Sequence, residues 1–279
     1  MKINAYAKIN LTLDIVGLRD DGFHELRSVM VPISLCDVVT VTESDELAFD
    51  CNIKELCTAD NLCVSAAKLF FATVGREDRA YIHLQKNIPF PAGLGGGSSD
   101  AAAVLTALNE AYGCPLSREE LFSLAEKLGS DVPFCLLSRP ALCEGRGERL
   151  TPIDGLSEIS AVIAIGSGRL STPRVFREYD SMKLSSMGNT ERFLDRLSTK
   201  GICSALRFAG NDFEPVTDIL SPETKTLREL LIKHGAVASH LSGSGPSVYG
   251  LFENDKKAED AAEILKGKGY FAVCCKTLI

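Results

Sequence analysis

The sequence has no excess of positive charge and, at its start, no long hydrophobic run. Its 30 Lys and Arg residues are outnumbered by 37 Asp and Glu residues, which gives a formal net charge of −7 at pH 7. Nucleic-acid binding depends on cationic side chains that displace counterions from phosphates, so this charge balance argues against a nucleic-acid partner. In residues 1–10 polar side chains interrupt the apolar ones, which argues against a signal peptide or a membrane span there. We therefore expect a cytoplasmic protein that binds any anionic ligand by local chemistry.

Cysteine is plentiful, but the spacings typical of metal sites are missing. None of the ten cysteines forms a Cys-x-x-Cys pair, and the run Cys51, Cys57 and Cys63 has no metal-ligand spacing. Without an export signal, reduced thiols that pack as small apolar side chains are expected, rather than a disulfide framework or a structural metal.

The size of the chain favours two domains. At 279 residues and 45% hydrophobic content, it can bury one large core or two smaller ones. No internal repeat or low-complexity tract is present, and a weakly marked linker lies near 150–158. Strands and helices are mixed in both halves without the regular alternation of a doubly wound sheet, so the expected fold class is α+β. The expected domains are residues 1–153 and 154–279.

Periodicity and capping signals predict most of the elements. Asp60 or Asn61 is placed to cap a helix, and Ser117 opens a capping box with Glu120. The predicted strands are 3–15, 29–41, 81–85, 159–165, 247–252 and 270–276, and the predicted helices are 60–74, 100–112, 118–128, 173–178, 223–234 and 256–265.

The first predicted strand has one apolar and one polar face. The polar face carries Tyr6, Lys8 and Asn10, and alternation of this kind is typical of a half-buried strand. From the pattern alone, a solvated face is the favoured interpretation, and one wall of a binding site is the alternative.

A glycine-rich segment stands directly before a predicted helix. Four of the five positions 93–97 are glycine, which leaves the backbone free to expose several N–H groups at the helix N-terminus, as an anion cradle requires. A flexible loop capped by Ser98 or Ser99 is the alternative. The segment does not fit G-x-x-x-x-G-K-[ST], and the dinucleotide pattern fails because Ser98 stands where its third glycine belongs. Protein-kinase signatures are missing as well, so a phosphate loop of another kind is required.

Three motifs resemble those of the GHMP kinase superfamily. Residues 91–102, Pro-Ala-Gly-Leu-Gly-Gly-Gly-Ser-Ser-Asp-Ala-Ala, resemble its phosphate-binding motif. Residues 8–11, Lys-Ile-Asn-Leu, resemble its first motif, and 241–246, Leu-Ser-Gly-Ser-Gly-Pro, resemble its third. The resemblance implies a two-domain GHMP kinase fold, with an ATP-binding N-terminal domain similar to a ribosomal RNA-binding domain and a ferredoxin-like α+β C-terminal domain. It also implies ATP and Mg²⁺ as cofactors.

Further segments are similar to one branch of that superfamily. Residues 19–26, Arg-Asp-Asp-Gly-Phe-His-Glu-Leu, and 129–134, Gly-Ser-Asp-Val-Pro-Phe, resemble kinases that phosphorylate the 2-hydroxyl of a cytidine diphosphate conjugate of methylerythritol. Residues 172–176 and 211–214 fit as well. This branch acts in the non-mevalonate isoprenoid route. One departure is Phe23, where tyrosine is usual, although a phenyl ring can still stack on a cytosine.

The resemblance implies a role for each matching residue. Lys8 and Asp131 would be catalytic, with Asp131 as the base that accepts the alcohol proton and Lys8 as the group that lowers the pKa of the hydroxyl. Taken alone, Asp131 would be a helix cap beside Pro133. The substrate-binding candidates are Asn10, Phe23, His24, Thr172 and Phe176, and the nucleotide-binding candidates are Pro91, Gly93, Leu94, Gly95, Gly96, Gly97, Ser98, Ser99, Asn61, Lys86, Gly243 and Gly245.

Two alternatives remain open at this stage. The phosphate loop alone does not name the acceptor, so another GHMP kinase that acts on homoserine, mevalonate or a sugar is the second hypothesis. A non-catalytic binding module is the third, and the acidic net charge and the presence of both Lys8 and Asp131 argue against it. A small-molecule substrate and a monomer or homodimer are expected in the favoured case.

Overall fold

The computed structural model describes all 279 residues, with eleven strands and ten helices in two compact units. Unit 1 comprises residues 1–7, 35–89 and 95–138, and unit 2 comprises residues 8–34, 90–94 and 139–279. The first two strands, β1 (Lys2–Leu18) and β2 (His24–Thr42), contribute residues to both units. The units are thus interleaved along the chain, and the domain boundary near residue 153 stays a prediction.

Unit 1 packs helices on a small sheet. Its further elements are β3 (Ala48–Cys51), α1 (Leu62–Val74), β4 (Tyr81–Gln85), α2 (Gly96–Ala111), α3 (Arg118–Leu128) and α4 (Val132–Leu137). The end of β2 pairs antiparallel with β4, from Val38 opposite Gln85 to Thr42 opposite Tyr81, and β3 pairs parallel with β4. Apolar side chains of α1 and α2 fill the core against these strands.

Unit 2 is built around an antiparallel sheet. Its further elements are β5 (Ala141–Gly145), β6 (Arg149–Pro152), β7 (Ser160–Ile165), α5 (Thr172–Ser181), α6 (Asn189–Lys200), α7 (Ile202–Ala205), β8 (Gly210–Asn211), α8 (Glu214–Leu220), α9 (Glu223–Lys233), β9 (Ala238–Leu241), β10 (Val248–Phe252), α10 (Asp255–Gly267) and β11 (Phe271–Lys276). The four-stranded sheet has the order β11-β7-β10-β9, and α9 and α10 pack on it. The start of β2 pairs with β5, and β1 pairs parallel with the short β8.

Local signals place several helix ends where the sequence predicts them. Asn61 is the N-cap of α1, since its side chain accepts a hydrogen bond from the backbone N–H of Cys63 at 2.9 Å. Ser117 and Glu120 form the expected capping box at the start of α3. Both predictions are confirmed.

The start of α2 differs from the prediction. The helix begins at Gly96 rather than at residue 100, so the Gly-Gly-Ser-Ser stretch forms its first turn. Glycine and serine are weak helix formers, which is why propensity places the start too late.

The polar face of β1 also differs from the favoured interpretation. Lys8 is 3% exposed and Asn10 is fully buried, as is Thr12. Alternation shows which side chains share a face but not what covers that face, so the prediction of a solvated face is wrong for these residues. No helix in the structure is both long enough and apolar enough to cross a membrane.

Candidate active site

The second half of the glycine-rich segment forms a helix N-terminus in unit 1. Gly95 has the left-handed conformation (φ 68°), which lets the chain turn into α2, and no side chain caps the helix. The first N–H groups of a helix have no partner within the helix and carry the positive end of its dipole. Ser99 is fixed because its Oγ donates to the carbonyl oxygen of Tyr6 at 2.7 Å. This end of α2 can therefore bind an anion through the backbone of the Gly95–Ser99 stretch.

Lys86 lies beneath this turn and is held by two carboxylates. Its Nζ donates to Asp37 Oδ2 at 2.5 Å and to Asp100 Oδ2 at 2.7 Å, and all three side chains are buried. Burial lowers the pKa of Lys86, but the two carboxylates raise it by more, so the ammonium stays charged. The predicted approach of Lys86 to adenine would therefore have to use its main chain.

Asn61 is also committed within unit 1. Besides capping α1 through Oδ1, it donates from Nδ2 to the carbonyl oxygen of Leu56 at 2.9 Å. Its side chain holds the chain entry to α1, and a contact with adenine would compete with these two bonds.

The first half of the glycine-rich segment packs on the third motif in unit 2. A Cβ on Gly93 would lie 2.3 Å from the carbonyl oxygen of Ser242, and the Oγ of Ser242 donates to the carbonyl oxygen of Gly93 at 3.0 Å. Leu94 accepts the backbone N–H of Lys8 at 2.9 Å. Segment 90–94, the start of β1 in this unit and the turn at residues 242–247 thus contact one another directly.

A buried hydrogen-bond network connects Lys8 to the third motif. Asn10 Oδ1 accepts from Lys8 Nζ and from the backbone N–H of Gly243, each at 2.9 Å. From the other side, Asn211 Nδ2 donates to the carbonyl oxygens of Leu241 and Gly243 at 3.0 and 2.8 Å. Asn10 therefore orients Lys8, while Asn211 holds the turn that bears Gly243.

Two of the predicted base-binding residues, His24 and Phe176, contact each other in unit 2, and Phe23 directly precedes His24 in the chain. The rings of His24 and Phe176 are stacked with centroids 4.7 Å apart, and His24 Nε2 lies 2.8 Å from Asp180 Oδ1. Phe23 is 53% exposed, and the guanidinium of Arg146 lies 5.0 Å above its ring. An exposed ring beside a histidine with one engaged nitrogen can stack on a planar base and hydrogen-bond to its edge.

Thr172 and Gly245 lie at the third motif. Thr172 begins α5, and its Oγ1 lies 2.7 Å from Ser244 Oγ. Gly245 has a φ of +81° and donates its N–H to the carbonyl oxygen of Ser242 at 3.0 Å. These contacts fix the turn that joins β9 to β10.

Asp131 stands at the N-cap position of α4 in unit 1, but its side chain makes no capping hydrogen bond. The α-helical backbone angles of Asp131 (φ −86°, ψ −12°) differ from the extended conformation that capping residues usually adopt. The Asp131 carboxylate therefore does not act as a helix cap.

Comparisons with known proteins agree with this arrangement of motifs. The family models "GHMP kinases N terminal domain" and "GHMP kinases C terminal" match residues 61–139 and 195–270. The chain is 38% identical to the 4-diphosphocytidyl-2-C-methyl-D-erythritol kinase of Caldicellulosiruptor saccharolyticus, over 95% of this chain and 93% of the relative. It is 36% identical to the enzyme of that name from Caldanaerobacter subterraneus subsp. tengcongensis, over 100% of this chain and 97% of the relative. The chain belongs to the 4-diphosphocytidyl-2-C-methyl-D-erythritol kinase branch of the GHMP kinases.

Solved structures of GHMP kinases show the same fold. A crystal structure of 4-(cytidine 5'-diphospho)-2C-methyl-D-erythritol kinase matches with a TM-score of 0.85 and 36% identity, covering 99% of both chains. The homoserine kinase from Cytophaga hutchinsonii matches with a TM-score of 0.74 at 17% identity, covering 100% of this chain and 94% of the other, a likeness of fold alone. The expected GHMP kinase fold and phosphotransferase activity are confirmed, and use of ATP follows from the family.

Sequence reasoning missed several residues that contact the predicted site residues. In the sequence, Asn211 stands out only as part of a matching segment; in the fold it is the second residue of β8, where its amide can hold a neighbouring turn. Asp37 carries no local signal, since it reaches Lys86 across 49 positions of sequence. Asp180 and Arg146 likewise meet their aromatic partners only in the folded chain.

Proposed function

We propose that this GHMP kinase transfers the γ-phosphoryl group of ATP to the 2-hydroxyl of 4-diphosphocytidyl-2-C-methyl-D-erythritol, in the non-mevalonate route to isoprenoid precursors. The observation that carries this proposal is the 35–38% identity, over nearly the whole chain, to relatives of that name. The exposed ring of Phe23 and the stacked rings of His24 and Phe176 support a planar base as part of the acceptor.

In this proposal, the backbone of the Gly95–Ser99 stretch binds the ATP phosphates. The support is the uncapped N-terminus of α2, whose free N–H groups and dipole favour anions. Pro91, Gly93 and Leu94 shape the entry to this stretch, because Gly93 is packed too closely on Ser242 for any side chain. The turn that contains Gly243 and Gly245 supports the same segment.

Lys8 and Asp131 are the proposed catalytic pair. Phosphoryl transfer needs positioning, charge stabilisation and one group to accept the alcohol proton. Asp131 would accept that proton, and Lys8 would lower the pKa of the hydroxyl. The support for Lys8 is its burial and its hydrogen bond to Asn10, which fix an ammonium group in one orientation. The support for Asp131 is its place in the Gly-Ser-Asp-Val-Pro-Phe segment, residues 129–134, which resembles the kinases of this branch.

Mg²⁺ fits this site as a companion of the nucleotide. The structure has no group of three or more His, Cys, Asp or Glu side chains that could hold a metal ion by themselves. Protein sites for Mg²⁺ with nucleotides commonly combine one or two carboxylates with phosphate oxygens and water. Bound Mg²⁺ neutralises charge on the transferred phosphates.

The acceptor distinguishes this proposal from the alternatives. Homoserine and mevalonate contain no base, so they would leave Phe23 and His24 without a partner. The likeness to the homoserine kinase shows the fold alone. We place the reaction in the cytoplasm, with a small-molecule acceptor and no nucleic acid, in a monomer or homodimer.

An acceptor panel tests this proposal. ATP turnover is measured with the cytidine diphosphate conjugate, free methylerythritol phosphate, homoserine and mevalonate. A site built to hydrogen-bond a base rejects an analogue without it, so the conjugate should be preferred by about 10⁴-fold over methylerythritol phosphate. Faster turnover of homoserine or mevalonate would replace the proposed acceptor.

A further inference from the structure

A charged triad that the proposed chemistry does not use lies beneath the first turn of α2. Asp37, Lys86 and Asp100 come from β2, the residue after β4, and α2, and their side chains are 0%, 2% and 4% exposed. Two carboxylates share one ammonium group, so the triad carries a formal charge of −1 when all three groups are ionised. A buried net charge is costly, and protonation of one carboxyl removes it.

The two carboxylates are not equivalent. Asp37 is fully engaged, because its Oδ1 also accepts the backbone N–H groups of Asn87 and Ile88 at 2.5 and 2.7 Å. Asp100 contacts Lys86 through Oδ2 and lies close enough to Asp37 for the two carboxyl groups to share a proton, while its Oδ1 is buried without a hydrogen-bond partner. Asp100 is therefore the carboxyl that takes the proton.

The triad touches the proposed phosphate site through Gly96. A Cβ on Gly96 would lie 2.8 Å from Lys86 Nζ, so the ammonium lies directly against the first residue of α2. A charge on Asp100 is thus within one turn of the N–H groups proposed to bind phosphates.

Asp37, Lys86 and Asp100 are the only buried charged residues of unit 1. The neighbouring strand β3 and helix α1 contribute the buried thiols of Cys51 and Cys63, and burial raises the pKa of both, which keeps them neutral. All charged residues of α3 are exposed, and α4 contains none.

We propose that Asp100 is a proton-linked positioning residue of the phosphate site, which takes up a proton from solvent when the nucleotide phosphates bind at the N-terminus of α2. This inference rests on the proposed function and deepens it. The carboxylate would gain the proton as an O–H bond, and the negative charge that leaves the triad offsets the negative charge that the nucleotide adds.

The titration range of Asp100 makes this linkage measurable. Burial, together with the nearby Asp37 carboxylate, raises the pKa of Asp100 to about 7, against the opposing effect of Lys86. The group is therefore partly ionised near neutrality, and an arriving anion raises its pKa further. For a rise of one pKa unit, binding should be accompanied by uptake of at most about half a proton, and affinity should fall as pH rises.

Titration calorimetry of ATP binding, without acceptor and in buffers of different protonation enthalpy, tests the proposal. Wild type should take up more protons on binding ATP than Asp100→Asn does. The ratio of the wild-type Kd to the Asp100→Asn Kd should rise by about ten-fold between about pH 6 and pH 9, which corresponds to a rise of one unit in the pKa of Asp100 on binding. Asp50→Asn, an exposed carboxylate of unit 1 paired with His83, is the matched control and should behave as wild type. N–H donors favour the ionised form of the γ-phosphate of ATP. The nucleotide itself therefore releases protons on binding and does not account for proton uptake.

Equal proton uptake by wild type and Asp100→Asn, with both binding ATP, would overturn this inference and leave the kinase proposal intact. If wild type bound no ATP, both would be wrong. Should Asp100→Asn fail to fold, the uptake profile of wild type decides. A maximum near neutral pH supports the inference, and its absence overturns it.

Discussion

Asn10 Oδ1 accepts the backbone N–H of Gly243 at 2.9 Å and so joins the first motif to the third. The same oxygen accepts Lys8 Nζ, and Asn10 Nδ2 donates to Ser28 Oγ at 2.8 Å. Because Asn10 is fully buried, these bonds use both ends of its amide inside the protein. The predicted role of Asn10 as a substrate contact therefore competes with a positioning role for Lys8.

Asn10→Ala separates these two roles. Loss of the amide leaves a buried N–H and an ammonium without that acceptor. The free energy of unfolding should therefore fall by about 2–6 kcal/mol, at about 1–3 kcal/mol for each of the two unsatisfied groups. Turnover should fall because Lys8 loses its orientation. Asn4→Ala, on an exposed position of the same strand, is the control. Unchanged stability with a raised KM for the acceptor would indicate a direct contact instead.

Asp131→Asn tests the proposed base. The amide keeps the size of the side chain but cannot accept the proton, so kcat should fall by roughly 10²–10⁴-fold with little change in KM. Lys8→Met should show a similar loss, and the double variant should be much less than additive, as for residues that act as a unit. Asp154→Asn, 93% exposed, controls for loss of a carboxylate. Near-normal turnover of a folded Asp131→Asn protein would leave Lys8 and Mg²⁺ to position the reactants.

Gly96→Ala tests the phosphate cradle. The new Cβ would lie 2.8 Å from Lys86 Nζ and 3.1 Å from Ile88 Cγ2, so the first turn of α2 or these side chains must shift. ATP binding should therefore weaken by about ten-fold, or about 1.4 kcal/mol. Alanine is more favourable than glycine within a helix by about 0.5–1 kcal/mol. Weaker ATP binding by the variant would therefore not be explained by a lower helix propensity. Gly267→Ala, which meets no atom within 4 Å, is the control for an added methyl group. Unchanged Kd for ATP would remove this turn from the site.

Phe23→Ala tests the aromatic side of the acceptor site. The ring is half exposed, so stability should hardly change. Stacking of a base on an aromatic ring contributes about 1–3 kcal/mol, so KM for the cytidine conjugate should rise by about 5- to 150-fold. Phe271→Ala, 43% exposed on β11, provides the control. If KM for the conjugate stays constant, the base binds elsewhere.

The pH dependence of stability reports the raised pKa of Asp100 without any ligand. The folded carboxyl titrates at about 7 and the unfolded one at about 3.8, so the folded state binds more protons between these values. The free energy of unfolding therefore falls as pH rises through this window and levels off above it. Asp100→Asn lacks this loss, so the melting temperature of wild type relative to the variant should fall by roughly 5 °C between about pH 5 and pH 8. A constant difference would mean that Asp100 is ionised throughout.

Local chemistry explains what the sequence predicted well. The capping residues Asn61 and Ser117 act on the chain within a few positions, and such signals are readable without a fold. The glycine-rich motifs are likewise local, and they indicated the GHMP kinase fold, which is confirmed.

Long-range packing explains what was not predictable. The burial of Lys8 and Asn10 depends on what covers the polar face of β1, and alternation carries no such information. The partnership of Asp37 with Lys86 depends on strand pairing between β2 and β4, which sets the meeting of residues 49 positions apart. Helices as short as α4 and α7 have too few residues for a periodic signal.

Because Gly93 contacts Ser242, two segments that are distant in sequence can change only together. A Cβ at Gly93 would meet the Ser242 carbonyl oxygen at 2.3 Å, and a Cβ at Gly243 would meet the Gly93 carbonyl oxygen at 3.0 Å. A chimera that exchanges residues 90–94 with a relative must therefore exchange 242–245 as well. In a directed-evolution library, independent randomisation of either window would yield mostly inactive clones, whereas joint libraries could retain matched pairs.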